Sequence, residues 1–290
     1  MYQPSTVILS KVDEFFTKNK IFNYLFQLTS IFKTFSTLII MQSLFTQSAT
    51  NWILIGIAAF IIGLSKAGIK GIDMINVTIM AIVFGSKAST GVVLPLLCAG
   101  DVLAVAYYHR HAQWNHFWKL LPWMIIGILV GVFVGKDLNE NLFRKIMATI
   151  IIFTVIAMLI IEFRKTVVLP SNKLFAVIMG LIAGFATMIG NLAGAFSNIY
   201  FLATRLLKNN FIGTAAWVFL AINFFKLPFQ IFSWKNITAP SLQIDLYLLP
   251  LLIIGFWSGV KIVSIVKEKS YRKAIIVLTL IGALFIFFKT

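Results

Sequence analysis

Two lysines lie beside a glycine-rich interruption in the first half of the chain. Lys66 precedes it, and Lys70 lies within the tetrapeptide Gly68-Ile69-Lys70-Gly71. Where a helix is broken, backbone N–H groups lose their intrahelical partners, and a cation beside them attracts the oxygen atoms of an anion. We therefore predict a set of anion-binding residues here, namely Lys66, Gly68, Lys70 and Gly71. The alternative is that both lysines extend into water as ordinary loop charges.

Asp101 is a second candidate, because it is the only charged residue in the apolar stretch from Gly91 to Tyr108. A lone carboxylate held away from water is costly unless it is protonated or paired. Asp101 could therefore carry a proton that is coupled to transport, or it could pair with Lys66 or Lys70. A third interpretation is a neutral side chain that hydrogen-bonds a neighbouring helix.

A second group of polar residues interrupts apolar sequence in the other half of the chain. Gly190 and Asn191 begin another break, and Asn198 follows it. Lys226 comes three residues after Asn223, so the two share one face of a helix. We predict that this group contributes to the same binding site. The alternatives are that the amides only satisfy unwound backbone and that Lys226 reaches the membrane surface.

Metal and catalytic chemistry find little support in the sequence. His109, His111 and His116 lie close together, but no carboxylate accompanies them and a zinc site needs three or four well-placed ligands. Cys98 is the only cysteine. No pattern typical of a zinc protease, a serine hydrolase or a phosphate-binding loop occurs. We therefore predict no cofactor, no metal and no enzymatic activity; an intramembrane enzyme is the alternative.

Composition places the chain in a membrane. Hydrophobic residues make up 60% of the 290 positions, charged residues 12%, and the mean hydropathy is +0.94. Soluble domains are about half apolar and a quarter charged, so lipid is the expected partner. The formal net charge of +16 could indicate nucleic acid, but the basic residues fall mostly in short gaps between apolar runs. This distribution favours membrane topology over nucleic-acid binding.

The order of distinctive residues in the first half recurs in the second. The matches are Leu120-Leu121-Pro122 with Leu248-Leu249-Pro250, Gly127 with Gly255, Gly131 with Gly259, Arg144-Lys145 with Arg272-Lys273, and, in a shifted register, Gly68 with Gly190, Gly91 with Gly213 and Asp101 with Asn223. Apolar composition alone does not produce such an order. We predict an N-terminal amphipathic or first-span segment over 1–50, a transmembrane repeat over 51–166 and another over 167–290.

Each repeat contains an odd number of crossings, whether its first two apolar segments count as one hairpin or separately. An odd number turns the second repeat upside down relative to the first. The predicted fold is an all-α polytopic membrane protein of two inverted repeats. Each repeat has a broken or re-entrant helix pair followed by three transmembrane helices. Residues 52–161 and 174–288 should then superpose after a half-turn about an axis in the membrane plane.

The basic residues also predict an orientation. Loops near 109–119, 162–173, 205–210 and 261–273 carry most of the lysine and arginine, whereas those near 136–145 and 232–246 carry fewer. Positively charged loops stay on the cytoplasmic side, so we expect the first group there.

The sequence resembles the sulfite exporter TauE/SafE family over residues 52–288. The resemblance is densest in the stretches Gly63-Leu64-Ser65-Lys66-Ala67-Gly68-Ile69-Lys70-Gly71, Ala88-Ser89-Thr90-Gly91, Leu94-Pro95-Leu96, Gly100-Asp101 and Tyr107-Tyr108-His109-Arg110, and at Trp114. It departs from the family at Lys70, where a small residue or proline is commoner. The resemblance implies a multi-pass permease of a bacterial-type inner membrane that exports sulfite, a sulfonate or a related sulfur-containing anion.

Residues and resemblance together predict a secondary transporter of a small anion that works by alternating access. A channel-like pore, or a transporter for another small ion or an organic acid, is the alternative. Besides the anion and the lipid bilayer no partner is indicated, and a homo-oligomer is left open.

Overall fold

Long apolar stretches interrupted by glycine give a protein built from helices of unequal length. The computed structural model describes residues 48–163 and 172–267, together with residues 270, 271, 273–275 and 277. The predicted N-terminal segment over 1–50 and the predicted cytoplasmic loop over 162–173 lie almost wholly outside the described residues. The last apolar stretch, after residue 277, also lies outside them.

The first repeat predicted from the sequence contains six helices within the described residues. They are α1 (Ala49–Lys66), α2 (Asp73–Phe84), α3 (Ser86–Val92), α4 (Leu94–Tyr108), α5 (Trp114–Lys136) and α6 (Glu140–Phe163). A 3₁₀ turn, His109–His111, follows α4.

In the second predicted repeat, four helices are described from end to end, and the described residues 270, 271, 273–275 and 277 are also helical. The four helices are α7 (Lys173–Gly190), α8 (Ala193–Ala203), α9 (Lys208–Pro228) and α10 (Ala239–Ile265). A π-helical turn, Phe229–Ser233, extends α9.

Five helices among the described residues are long and apolar enough to cross a membrane. They are α1, α5, α7, α9 with its π-helical turn, and α10. A sixth span results if α2 and α3, which are bent by 114° at their junction, count as one. Many large apolar side chains on the outer faces of these helices are exposed, such as Phe133 on α5 at 75% and Ile254 on α10 at 56%. Lipid is the medium that suits such faces, so the prediction of a polytopic helical membrane protein is confirmed.

Both predicted breaks are present. Between α1 and α2 the backbone reaches positive φ at Gly68 (120°) and Gly71 (100°), which only glycine adopts without strain. Between α7 and α8 the left-handed residue is Asn191, with φ of 56°. A third break at Gly85 (φ 86°) separates α2 from α3. It lies where an apolar run ends and the polar stretch Ser86-Lys87-Ala88-Ser89-Thr90 begins, and it was not among the two predicted breaks.

Glycines allow two pairs of helices to pack with their backbones in contact. A Cβ atom on Gly63 of α1 would overlap the carbonyl oxygen of Leu252 in α10, and one on Gly255 of α10 would overlap that of Phe60. The pair α5 and α7 repeats this arrangement. There, Gly127 lies against the carbonyl oxygen of Leu181, and Gly184 against that of Met124. Helix α4 packs against α9.

Two lysine side chains hydrogen-bond to backbone carbonyl groups at or near the ends of other helices. Lys208 Nζ donates to the carbonyl oxygens of Val263 (2.9 Å) and Val266 (2.7 Å). Lys87 Nζ donates to the carbonyl oxygens of Lys136 (2.8 Å) and Leu138 (3.0 Å). The first contact joins two of the loops that were predicted to be cytoplasmic, 205–210 and 261–273, and the second involves the loop 136–145 of the other group. The side of the membrane on which each loop lies stays a prediction.

Candidate functional site

A small polar cavity lies where the two predicted breaks meet. Its volume of about 40 Å³ is room for about three water molecules at roughly 10–15 Å³ each. Part of its polar lining comes from α1, from the break between α1 and α2, and from the start of α2. The rest comes from the end of α7, from the break between α7 and α8, and from α9. These residues are Ser65, Lys66, Lys70, Asp73, Asn76, Thr187, Asn191 and Asn223.

Lys66 and Asp101 form a buried ion pair beside the cavity. The Lys66 Nζ atom lies 2.6 Å from Asp101 Oδ1, and the Asp101 side chain is fully buried. The second carboxylate oxygen accepts a hydrogen bond of 2.6 Å from the amide nitrogen of Asn223. Both oxygens are therefore satisfied, which offsets part of the cost of burying the charge. Of the partners that the sequence left open for Asp101, the structure selects Lys66.

Lys226 is completely buried on α9, within the side-chain network of the second half. Its Nζ atom donates to Asn191 Oδ1 (2.6 Å), Thr187 Oγ1 (3.0 Å) and Asn223 Oδ1 (3.2 Å). All three acceptors are neutral. The alternative that Lys226 extends to the membrane surface is therefore wrong for this structure, since the side chain is 0% exposed.

Lys70 is turned inward from the first break and is only 3% exposed. Its Nζ atom donates to the carbonyl oxygen of Ser65 at 3.0 Å and lies 5.2 Å from the centre of the Phe219 ring. Lys66 Nζ lies 5.4 Å from the same ring. The ring face attracts both cations, so a single aromatic side chain helps to hold two like charges near one cavity. The alternative that Lys66 and Lys70 extend into water as ordinary loop charges is therefore wrong for this structure.

Two tyrosine hydroxyls donate hydrogen bonds to carbonyl oxygens of the unwound backbone after α1. The hydroxyl of Tyr108 donates to the carbonyl oxygen of Ala67 (2.9 Å), and that of Tyr271 donates to the carbonyl oxygen of Gly68 (2.7 Å). Irregular backbone at membrane depth requires such partners. The break is thus held in a defined shape by residues from α4 and from the C-terminal region.

Asp73 is a site residue that the sequence analysis missed. It begins α2, and its Oδ1 atom accepts a hydrogen bond of 2.9 Å from the backbone N–H of Gly71. Its Oδ2 atom lies against Gly194 near the start of α8, so closely that a Cβ atom on Gly194 would overlap it. An acidic residue in the first turn after a glycine break was the signal that could have identified it.

Apart from Asn198, the predicted site residues fall into three groups. Lys66, Lys70, Asn191 and Asn223 line the cavity. Asp101 and Lys226 hydrogen-bond to residues of that lining. The predicted glycines shape the breaks, as the φ angles of Gly68 and Gly71 show, and Gly190 ends α7.

Asn198 takes a different place from the rest of the predicted set. It is fully buried on α8, one turn beyond Gly194, and does not appear in the cavity lining. Neither polar atom of its side chain has a hydrogen-bond partner among the described residues. Its role in substrate binding therefore stays a prediction.

The histidines considered for a metal site have separate surroundings. His116 Nδ1 lies 3.2 Å from the hydroxyl of Tyr200, and His109 Nδ1 lies 3.0 Å from the carbonyl oxygen of Ala106. Within the described residues, no group of three or more histidine, cysteine or acidic side chains is placed to hold a metal ion.

Apolar spanning helices around a buried charged cavity define the class of the protein as a polytopic helical membrane protein with an internal polar site. The chain belongs to the sulfite exporter TauE/SafE family, whose family model matches residues 31–286. The resemblance described above is confirmed, and it places the chain among membrane transport proteins. No curated protein and no solved structure matches the chain.

Proposed function

We propose that the protein is a secondary transporter that exports a small sulfur-containing anion, such as sulfite or a sulfonate, by alternating access. The observation that carries the proposal is the cavity between the two breaks, lined by the buried side chains of Lys66 and Lys70. Buried lysines within a membrane are rare and mark sites for ions or substrates. A volume of about 40 Å³ suits the few heavy atoms of sulfite or of a sulfonate head group.

The backbone around the cavity also favours an anion. Helices α2 and α8 both begin next to it, and neither has a side-chain N-cap. Free N–H groups and the helix dipole make such ends attractive to negative charge. Two helix starts beside one cavity, one from each predicted repeat, are the arrangement expected of transporters that bind substrate at discontinuous helices.

The packing supports the proposed inverted repeats. In the proposed repeats, α1 corresponds to α7, and α5 corresponds to α10. The rotation that relates the two repeats would then convert the contact between α1 and α10 into the contact between α7 and α5. The glycine contacts follow the same exchange, because Gly127 and Gly255 each lie against a carbonyl oxygen of the partner helix. Asp101 and its predicted counterpart Asn223 bond directly to each other. In the proposed arrangement, the pseudo-symmetry axis would pass near their hydrogen bond.

Asp101 is the proposed proton carrier. An anion that draws Lys66 towards the cavity would separate it from Asp101 and leave a buried carboxylate without its cation. Protonation of Asp101 at a later step of the cycle, after the anion has bound, would relieve the cost of that charge. Substrate and proton would thereby be linked through competition for one ammonium group. On the same grounds of family and charge distribution, we assign the protein to a bacterial-type inner membrane.

The test is a flux measurement in proteoliposomes with sulfite, sulfonates, sulfate and carboxylates, with and without a pH gradient. We expect accumulation of a sulfur-containing anion that depends on the gradient. Lys70→Gln should lower this flux at least tenfold, whereas Lys261→Gln, at an exposed position of α10, should leave it unchanged. Flux that never exceeds equilibration would favour a channel-like pore, and flux of none of these anions would contradict the proposal.

A further inference from the structure

The carboxylate of Asp73 occupies a position in which a substrate anion would be expected. One oxygen accepts a hydrogen bond from Gly71 N–H at the start of α2, and the other lies against Gly194 at the start of α8. The same carboxylate faces the cavity that Lys66 and Lys70 line. A negative charge of the protein itself therefore shares the anion site.

The charged groups in and beside the cavity do not cancel. The described cations are Lys66, Lys70 and Lys226, and the described acids are Asp73 and Asp101. With Asp101 ionised and paired with Lys66, the state in which we propose that the anion first binds, three formal positive charges against two negative ones leave a surplus of one. Asp101 is bonded to Lys66, and the acceptors of Lys226 are neutral, so Asp73 is the acid nearest to the space that a ligand would fill.

We infer that Asp73 determines the valence of the transported anion, by reducing the surplus charge of the site to one and so favouring monoanions over dianions. This inference rests on the proposed function. In a medium that solvates charge poorly, an occupied site is most stable when its charges cancel. A monoanion cancels the surplus. A dianion leaves one negative charge buried and is also repelled more strongly by the Asp73 carboxylate. Sulfonates and hydrogensulfite meet the condition, and sulfate does not.

Asp73→Asn tests the inference, since it removes the charge and keeps an oxygen for the Gly71 N–H. The probes are methanesulfonate, a permanent monoanion, and sulfate, a dianion. We expect wild-type liposomes to take up methanesulfonate in preference to sulfate, and the ratio of the two rates to fall at least tenfold in Asp73→Asn. Asp137→Asn removes a carboxylate at the exposed end of α5 and should keep the wild-type ratio.

A binding measurement separates folding from specificity. Methanesulfonate should raise the melting temperature of the wild-type protein in detergent more than sulfate does, and Asp73→Asn should lose this difference. If Asp73→Asn does not fold, Asp73→Ser, a neutral residue that also suits a helix start, carries the same expectation.

Three outcomes bear on the inference in different ways. An unchanged ratio in a folded Asp73→Asn protein overturns it and leaves anion transport standing. A wild-type preference for sulfate overturns it in the same way. Transport of neither probe, with no thermal shift by either, overturns both the inference and the proposed function.

Discussion

Replacement of Asp101 by asparagine should destabilise the protein strongly, because it leaves a buried lysine without its counter-ion. Lys66 Nζ and Asp101 Oδ1 are 2.6 Å apart, and both side chains are almost entirely removed from solvent. Asparagine preserves the size of the side chain and can still accept the hydrogen bond from Asn223. If its oxygen accepts from Asn223, its NH2 group faces the Lys66 ammonium, so the substitution removes both the negative charge and the acceptor that Lys66 uses.

The size of the effect follows from the burial of the pair. Removing one partner of a buried ion pair costs about 3–5 kcal/mol, whereas replacing both partners by neutral groups is often close to neutral. We therefore expect Asp101→Asn to lower the free energy of unfolding by about 3–5 kcal/mol. Lys66→Met with Asp101→Asn should come within about 1–2 kcal/mol of the wild type, since no uncompensated charge remains.

The assay is thermal and denaturant unfolding in detergent of the wild type, both single variants and the double variant. The interaction between the two positions is the difference between the double variant and the sum of the single ones. Asp137→Asn, at an exposed position, is the control and should show no loss of stability. Additive effects of the two substitutions, or an Asp101→Asn protein as stable as the wild type, would refute the ion pair.

Two further predictions concern packing and burial. Gly255→Ala should destabilise the contact of α1 with α10 by about 1–3 kcal/mol or more, because its Cβ atom would overlap a backbone oxygen that cannot move aside. Gly56→Ala in the same contact meets only a Leu251 methyl group at 3.2 Å and should cost less; equal losses in unfolding experiments would contradict this. Asp245→Leu should raise the melting temperature in detergent, because Oδ2 of this buried side chain has no partner among the described residues and an unpaired polar group costs about 1–3 kcal/mol. A lower melting temperature would show that Asp245 has a structural partner.

Much of the fold could be predicted because glycine and composition act locally. The apolar composition requires lipid whatever the tertiary structure. The φ angles of Gly68 and Gly71 belong to a region that other residues avoid, so the first break could be located from the sequence. The break at Gly85 was not predicted, because a glycine followed by polar residues such as Ser86 and Lys87 is equally typical of an ordinary loop between two helices.

The candidate site could be predicted only in its residue types. Lys66, Asp101 and Lys226 are conspicuous because charge is rare in these stretches, yet the sequence left open whether each is paired, neutral or extended to the surface. The contribution of Asp73 and of the hydroxyl of Tyr108 was not predicted at all.

The tertiary structure decided these partners because they are distant along the chain. Asp101 is 35 residues from Lys66 and 122 residues from Asn223. Helix periodicity fixes which face of a helix carries a side chain, but not which other helix lies opposite that face. That choice depends on where α1, α4 and α9 pack, and the packing depends on glycine contacts between backbones such as that of Gly63 with Leu252. The sequence alone thus determined the membrane class and the main breaks, while the docking of the helices determined which charge meets which.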